Sequence, residues 1–193
     1  MAKSRKKFPA CAVVAEDRSD VEAIQVLVKR IADQPSLQVK GKGCDGCGDL
    51  LKKGAAILKR FAERGAKRFI ICADADGTDP KPVRKQVEDR VVRPSGLEKT
   101  CIVIPVQEFE AWVLADISAV TKIFSSWKPK EIGNPEAVES PKEHLERLSR
   151  DGKARPRYSH AMHNAKVAEH LDLDVVYKKC KSFRTLHKFV CNG

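Results

Sequence analysis

The fold of this chain is decided by the stretch Arg68–Asp76, which reads RFIICADAD. After the arginine comes a strongly apolar run with aromatic and β-branched residues, as expected for a strand that is buried on both faces. Two aspartates follow the run, and turn-forming residues extend from Asp76 to Pro80. The stretch therefore predicts a buried strand whose carboxyl end presents two carboxylates.

Apolar segments on either side of this stretch alternate with amphipathic ones. Strands are expected at Cys11–Ala15, Leu37–Lys42, Arg68–Asp74 and Cys101–Val106. Helices are expected at Val21–Ile31, with Ser19 as N-cap and Glu22 completing a capping box, and at Leu50–Arg64 and Pro82–Val91. Because strands that alternate with helices form parallel sheets, the sequence predicts an α/β fold with an open sheet of about four mainly parallel strands flanked by helices.

The C-terminal part of the chain has a different character. Strand patterns stop at Glu108, and prolines from Pro129 to Pro156 separate what we predict to be short helices. A chain of 193 residues has room for one core and a helical annex. We therefore expect an α/β core at residues 1–106 and a helical C-terminal extension at 107–193 that packs on it.

The charge of the chain favours an anionic partner. Its 37 Lys and Arg residues outnumber 26 Asp and Glu, which gives a formal net charge of +11. The basic residues are concentrated at Lys3–Lys7, Lys52–Arg60 and Lys178–Lys188. We expect nucleic acid as the partner. The alternative is that the lysine-rich helix faces are only solvated.

The apolar runs are far too short to cross a bilayer, so we expect no membrane partner. The basic segment Met1–Lys7 precedes only a strand-length apolar run, which is not the pattern of a signal peptide. Seven cysteines, an odd number scattered along the chain, favour reduced thiols over a disulfide framework. The expected location is the cytoplasm.

Carboxylates follow two of the predicted strands. Glu16 stands at the carboxyl end of the first strand, and Asp74 and Asp76 stand at that of the third. In an open parallel sheet these ends share one edge, and alternation along a strand would point Asp74 and Asp76 the same way. Crowded carboxylates repel one another unless they protonate or share a cation, and hard oxygen ligands suit Mg²⁺ or Mn²⁺. We expect such a metal site at this edge.

Two further acids are candidates for the same site. Asp20 lies four residues after Glu16 and could reach the ion from the first turn of the helix, or it could be an ordinary acid at a helix N-terminus. Glu110 follows the fourth strand and could complete a second metal position, or it could lie on an amphipathic helix whose Phe109 and Val113 face the core. Both alternatives stay open at this point.

The segment Val13–Glu16 with Asp20, followed by Ile71–Asp76, resembles the Toprim pattern of a glutamate at a strand end and a later Asp-x-Asp. Toprim domains occur in primases, topoisomerases, small ribosomal RNA maturases and OLD-type nucleases. The resemblance implies that these acids hold catalytic metals, and the acid four residues after the glutamate is similar to the OLD-type variant. The Toprim glutamate is usually followed by glycine, whereas this chain has Asp17.

A second resemblance spans nearly the whole chain. It rests on Pro105–Asp116, Glu139–Lys142, Tyr158 and Lys181–Phe183, which are similar to an uncharacterised Toprim-like bacterial family. Members of that family are often encoded beside an AAA-type ATPase, and some belong to abortive-infection systems against phage. The resemblance implies an AAA-type ATPase as a partner and a role in phage defence.

The leading hypothesis is a metal-dependent phosphodiesterase that cuts DNA or RNA, in which two ions would polarise the phosphate and activate water. Lys142, or one of Arg155 and Arg157, is expected to neutralise the scissile phosphate. The alternative is a non-catalytic nucleic-acid-binding or adaptor protein whose Toprim site has decayed, and Asp17 is its best support. The sequence leaves the oligomeric state and the choice between DNA and RNA open.

The segment Cys44–Cys47 has the spacing of a zinc knuckle. A structural zinc ion normally takes four protein ligands, and no second pair of Cys or His follows at a suitable distance. We therefore expect a loop with two free thiols.

Overall fold

The computed structural model describes residues 8–150 and 157–192. Within these residues four parallel strands form a sheet in the order β2-β1-β3-β4. The strands are β1 (Cys11–Ala15), β2 (Val39–Gly43), β3 (Arg68–Cys72) and β4 (Thr100–Val103). The predicted α/β fold with an open parallel sheet is confirmed, although β3 and β4 end before their predicted limits.

A helix follows each strand, and the elements that the structure describes after β4 are all helical. The α-helices are α1 (Arg18–Ile31), α2 (Cys47–Glu63), α3 (Pro80–Val87), α4 (Arg93–Ser95), α5 (Glu110–Ala115), α6 (Pro141–Leu148), α7 (His160–Ala168), α8 (Leu173–Lys179) and α9 (Lys181–Cys191). A π-helical turn at Glu88–Val92 joins α3 to α4, and 3₁₀ turns lie at Ile117–Lys122 and Pro135–Ala137. The predicted helix at Pro82–Val91 is thus an α-helix that widens into a π turn.

Both faces of the sheet are covered, because alternate strand residues enter two separate apolar clusters. Val13 and Ile70 face α1, α5 and the C-terminal helices, whereas Val14 and Ile71 face α2 and the π turn. Each of these four side chains is inaccessible to solvent. Burial of one such side chain contributes about 1.5–3 kcal/mol. The near-continuous apolar pattern of β1, β3 and β4 follows from this double coverage, whereas the edge strand β2 is more exposed and contains two lysines.

The C-terminal helices pack on the sheet and share its core. Helix α7 lies against α1, and α9 lies against β4. The Arg68 guanidinium donates to the Phe189 carbonyl over 2.8 Å and stacks 4.0 Å from the centroid of its ring. The Trp112 indole of α5 donates to the Ser182 hydroxyl of α9 over 2.8 Å. The C-terminal helices, which were expected to pack on the core, therefore form part of the layer that covers one face of the sheet.

The cap of α1 differs from the prediction. Asp17, and not Ser19, is the N-cap residue, and its Oδ1 accepts the Asp20 backbone N–H over 3.0 Å and the Ser19 hydroxyl over 2.8 Å. Aspartate outcompetes serine because its charge also favours the positive end of the helix dipole. The backbone of Asp17 is extended, with φ −133°, so the position after Glu16 requires no glycine.

No helix in the part of the chain that the structure describes is long and apolar enough to cross a membrane. The predicted basic cluster Lys3–Lys7 and the candidate Arg155 lie outside the described residues.

Candidate metal centre

The parallel sheet brings the ends of β1 and β3 side by side. Ala15 pairs with Cys72 in the register of these strands, so Glu16 and Ala73 leave the sheet together. The Asp74 backbone N–H then donates to Glu16 Oε1 over 3.1 Å. This hydrogen bond fixes the Glu16 carboxylate beside Asp74.

Asp20 and Glu110 reach the same place from two helices. Asp20 lies in the first turn of α1 and is 6% exposed, and Glu110 opens α5 and is 4% exposed. Burial, followed by repulsion from Asp17, Glu110 and Glu16, raises the pKa of Asp20 well above its ordinary value. Burial also raises the pKa of Glu110 to about 7. Asp20 is therefore more than a helix-terminal acid, and Glu110 faces the acidic site from a helix that is otherwise apolar.

Asp74 is the centre of the acidic group. Burial raises the pKa of its carboxyl well above the ordinary value, and repulsion from Asp20, Glu16 and Glu110 adds to the shift. Part of the residue remains accessible to solvent. Its Oδ1 atom, however, is completely shielded and accepts no hydrogen bond from any described residue. A shielded carboxylate oxygen without a partner is costly, and a proton or a cation would remove that cost.

Asp76 lies at the rim. Strand β3 ends at Cys72, so strand alternation does not extend to the two aspartates. Asp76 is exposed and adopts a left-handed backbone with φ 47°. Its charge raises the pKa of Glu16 and of Glu108, which follows β4. Asp76 thus belongs to the cluster through its charge, from a more solvated position than Asp74.

Lys142 approaches the acids from α6. Its backbone N–H donates to Glu108 Oε2 over 3.0 Å. Its positive charge acts to lower the pKa values of Asp20, Glu108 and Glu110, but burial has the larger effect and raises them. Arg157, the alternative cation, donates to the Ser126 hydroxyl over 2.9 Å. Lys142 is therefore one predicted cation that lies close enough to the carboxylates to act on their charge.

The structure adds a thiol that the sequence argument missed. Cys47 is the first residue of α2, and the preceding Gly46 N–H donates to the Glu16 carbonyl over 3.0 Å. Burial, together with the charge of the Glu16 carboxylate and a hydrogen bond to it, raises the pKa of the Cys47 thiol to about 11. All seven cysteines lie within the described residues and none of them forms a disulfide bond there, while the predicted Cys44–Cys47 loop ends at Cys47, the start of α2. The signal in the sequence that could have identified Cys47 was the position of the Cys44–Cys47 segment at the carboxyl end of β2.

Two more residues belong to the site although they lie far along the chain. The Asn164 side-chain amide of α7 donates to Glu110 Oε1 over 2.8 Å, and the Tyr158 hydroxyl donates to Asn164 Oδ1 over 2.5 Å. In the sequence, only the family resemblance points to Tyr158. No periodic pattern in the sequence connects Asn164 with an acid 54 positions away.

The carboxylate oxygens of this cluster are of the chemical type that binds a divalent cation, but their spacing is not that of a metal site. Hard carboxylate oxygens, raised pKa values and the shielded Oδ1 of Asp74 are what a Mg²⁺ or Mn²⁺ site offers. Among residues 8–150 and 157–192, however, no group of three or more His, Cys, Asp or Glu side chains is arranged to hold an ion. The described carboxylates thus supply suitable oxygen donors but not a formed metal site.

A protein-family model with the description "Domain of unknown function (DUF4276)" matches residues 15–190. The chain belongs to the DUF4276 family. The DUF4276 match begins one residue before Glu16 and runs through α7, so it contains all the carboxylates described above together with Lys142 and Asn164. Comparison with curated proteins and with solved structures gave no match.

Proposed function

We propose that this DUF4276 protein is a Mg²⁺- or Mn²⁺-dependent phosphodiesterase that acts on DNA or RNA. The observation that carries the proposal is the shielded Asp74 Oδ1, which has no hydrogen-bond donor among the described residues and lies among other acids. An oxygen in this position requires either a proton or a cation. A cation that binds here serves several carboxylates at once.

The residues proposed to hold metal are Glu16, Asp20, Asp74, Asp76 and Glu110. A bound Mg²⁺ or Mn²⁺ supplies Lewis-acid polarisation of a phosphate and lowers the pKa of water. The chain contributes the fixed placement of these oxygens, since Glu16 is tied to the Asp74 backbone and Glu110 to Asn164. Asp76 is exposed, and we propose that it faces the incoming substrate.

The substrate class follows from the positive charge around the acids. Lys142 lies close enough to lower the pKa of three site carboxyls, and it is only half-buried. It is proposed to neutralise charge on the scissile phosphate. The excess of 37 basic over 26 acidic residues supplies the wider attraction for a polyanion. Both features favour a nucleic acid over a small neutral substrate.

A specific observation favours a second candidate, a non-catalytic nucleic-acid-binding or adaptor protein. In the described residues the carboxylates do not converge into a metal-holding group. A site that has lost its metal would keep the basic surface and the fold. The extended backbone of Asp17 removes the other argument for decay, because glycine is not needed there.

The role in phage defence and control by an AAA-type ATPase rest on the family resemblance alone. They are tested by supplying the product of a neighbouring gene, where one encodes such an ATPase, in the cleavage assay. Cleavage that depends on this product would support the partner.

The deciding experiment is incubation of the purified protein with labelled single- and double-stranded DNA and RNA in Mg²⁺, in Mn²⁺ and in EDTA. We expect cleavage with metal and none in EDTA. Asp74→Asn should not cut. The matched control is Glu98→Gln, which removes one exposed acid at the amino end of β4, on the opposite edge of the sheet. Glu98→Gln should cut like wild type.

Equal cutting by Asp74→Asn and wild type would assign the hydrolysis to other residues or to a contaminant. If the wild type cuts neither DNA nor RNA with Mn²⁺ and the ATPase present, but binds nucleic acid, the adaptor becomes the better description.

A further inference from the structure

Hydrogen bonds tie α6 and α7 to Glu108 and Glu110, and the backbone of α6 and of residues 108–110 joins these hydrogen bonds into one set. At the start of α6, the Lys142 backbone N–H donates to Glu108. At the end of α6, the Ser149 hydroxyl accepts the Tyr158 backbone N–H over 2.9 Å. We call this set the α6–α7 ring; its members are Glu108, Lys142, Ser149, Tyr158, Asn164 and Glu110.

The ionised Glu110 carboxylate, which only accepts hydrogen bonds, decides which end of the Asn164 amide faces it. The Asn164 amide nitrogen donates to Glu110 Oε1 over 2.8 Å, and Asn164 Oδ1 accepts the Tyr158 hydroxyl over 2.5 Å. A turned amide would set two acceptors, Asn164 Oδ1 and the Glu110 carboxylate, against each other. With Glu110 ionised, as a metal ligand must be, the order Tyr158, Asn164, Glu110 therefore allows one arrangement of donors.

The three side chains are closed off from water. Tyr158 is 1%, Asn164 0% and Glu110 4% exposed. Because a buried polar group that loses its partner regains no hydrogen bond from solvent, each link holds the next in place. Glu110 is thus held more firmly than the solvated Asp76 is.

We infer that Tyr158 and Asn164 are positioning residues, which hold the Glu110 carboxylate in the orientation needed to bind Mg²⁺ or Mn²⁺. This inference rests on the proposed function, since it assigns Glu110 to the metal site. Hydrogen-bond partners behind a metal-binding side chain commonly change metal affinity by about 10–100-fold when they are removed. Tyr158 acts here through Asn164, and Asn164 acts through Glu110.

The test compares Tyr158→Phe and Asn164→Leu with Ser182→Ala in the full-length protein. Ser182→Ala is the matched control, because it removes another buried hydrogen bond of α5, to Trp112, with no link to the carboxylates. Mn²⁺ affinity is measured by electron paramagnetic resonance, and folding by thermal denaturation in EDTA. Glu110→Gln is measured alone and combined with Tyr158→Phe.

We expect Tyr158→Phe and Asn164→Leu to weaken Mn²⁺ binding by about tenfold or more, whereas Ser182→Ala lowers the melting temperature without changing Mn²⁺ affinity. Tyr158→Phe should have no further effect on affinity once Glu110 is Gln. Unchanged Mn²⁺ affinity in folded Tyr158→Phe and Asn164→Leu would overturn the inference while leaving the metal site in place. If Asn164→Leu does not fold, Tyr158→Phe, which removes only a hydroxyl, decides.

The proposed function and this inference fail in different ways. In one outcome, wild type binds Mn²⁺, the variants bind it more weakly, and none of these proteins cuts nucleic acid. The positioning role of Tyr158 and Asn164 is then supported, and the phosphodiesterase proposal is overturned. If wild type binds no Mn²⁺, both are overturned, and coupling between Tyr158→Phe and Glu110→Gln in the melting temperatures would then identify the ring as purely structural.

Discussion

At the scale of single residues, the shielded oxygen of Asp74 carries an energetic cost that the proposed metal would offset. Without metal its charge is opposed by burial and by Asp20, Glu16 and Glu110. Asp74→Asn keeps the size of the side chain and removes that charge. We expect the substitution to stabilise the protein in EDTA, because the amide has no charge to desolvate or to repel the other acids.

The measurement is the free energy of unfolding by urea in EDTA and in excess Mn²⁺. Asp74→Asn should lose the stabilisation that Mn²⁺ gives to wild type, and the exposed Glu98→Gln should keep it. A large loss of stability of Asp74→Asn in EDTA would show that the Asp74 carboxylate is already satisfied without metal.

A pH prediction follows from Glu110, whose pKa rises from an ordinary value of 4.5 to about 7 through burial. Because the folded state favours the protonated form, this contribution to stability is fully present below about pH 4.5 and is lost as the pH rises through about 7. The shift corresponds to at most about 3 kcal/mol. Wild type should therefore lose stability relative to Glu110→Gln between these pH values.

Urea denaturation of both proteins in EDTA at several pH values measures this difference. The comparison cancels the histidines, whose lowered pKa values act in the opposite direction and are common to both proteins. Mn²⁺ should stabilise wild type more at high pH, since protons compete for the same oxygens. A pH-independent difference between the two proteins would contradict the raised pKa.

At the scale of elements, the cap of α1 couples folding to the acidic site. The Asp17 side chain caps the helix, and its charge also raises the pKa of Asp20. Asp17→Ala should cost about 1 kcal/mol, the usual effect of losing a side-chain cap. Asp17→Asn retains a capping oxygen and removes the charge, so its stability should match wild type.

Thermal denaturation in EDTA distinguishes these outcomes. Equal destabilisation by Asp17→Ala and Asp17→Asn would mean that the charge of Asp17 matters more than its hydrogen bonds. Asp17→Gly, which restores the residue typical of Toprim domains, should lie nearer to Asn than to Ala, because glycine costs only a few tenths of a kcal/mol at an N-cap.

The elements also explain which parts of the site were predictable. The apolar runs of β1 and β3 predicted strands, and parallel pairing then placed Glu16 and Asp74 at one edge. Asp76 was placed for the wrong reason, because local turn chemistry and a left-handed backbone replaced strand alternation after Cys72. Ser19 was wrong as the cap because Asp17, two residues earlier, accepts the Asp20 backbone N–H and its charge also favours the positive end of the helix dipole.

At the scale of the whole molecule, the C-terminal helices complete the site that the sheet begins. Asn164 reaches Glu110 because α7 packs against α1 and α5, a tertiary arrangement without a local signal. Sequence periodicity predicted that helices follow residue 107. It could not predict which of their polar residues turn inward, since a buried asparagine and a surface asparagine look the same in a helical pattern.

The last prediction concerns the surface charge of the whole protein. If nucleic acid binds through its phosphates, the logarithm of the affinity should fall linearly with the logarithm of the salt concentration. A surface that neutralises about three phosphates should then lose roughly 40-fold in affinity between about 50 and 200 mM salt. Two exposed basic surfaces can be compared: Lys52 and Lys59 on α2, and Lys181 and Lys188 on α9.

Charge reversal to Glu at both lysines of one surface should weaken binding and reduce the salt slope by about one for each phosphate that is no longer neutralised. Fluorescence anisotropy with labelled DNA and RNA, in EDTA to prevent cleavage, measures both quantities. The carboxyl ends of the strands lie beside the N-terminus of α2, because the Gly46 N–H donates to the Glu16 carbonyl. The α2 reversal is therefore expected to have the larger effect. Affinity that is independent of salt, or unchanged by both reversals, would show that these lysines are only solvated helix faces.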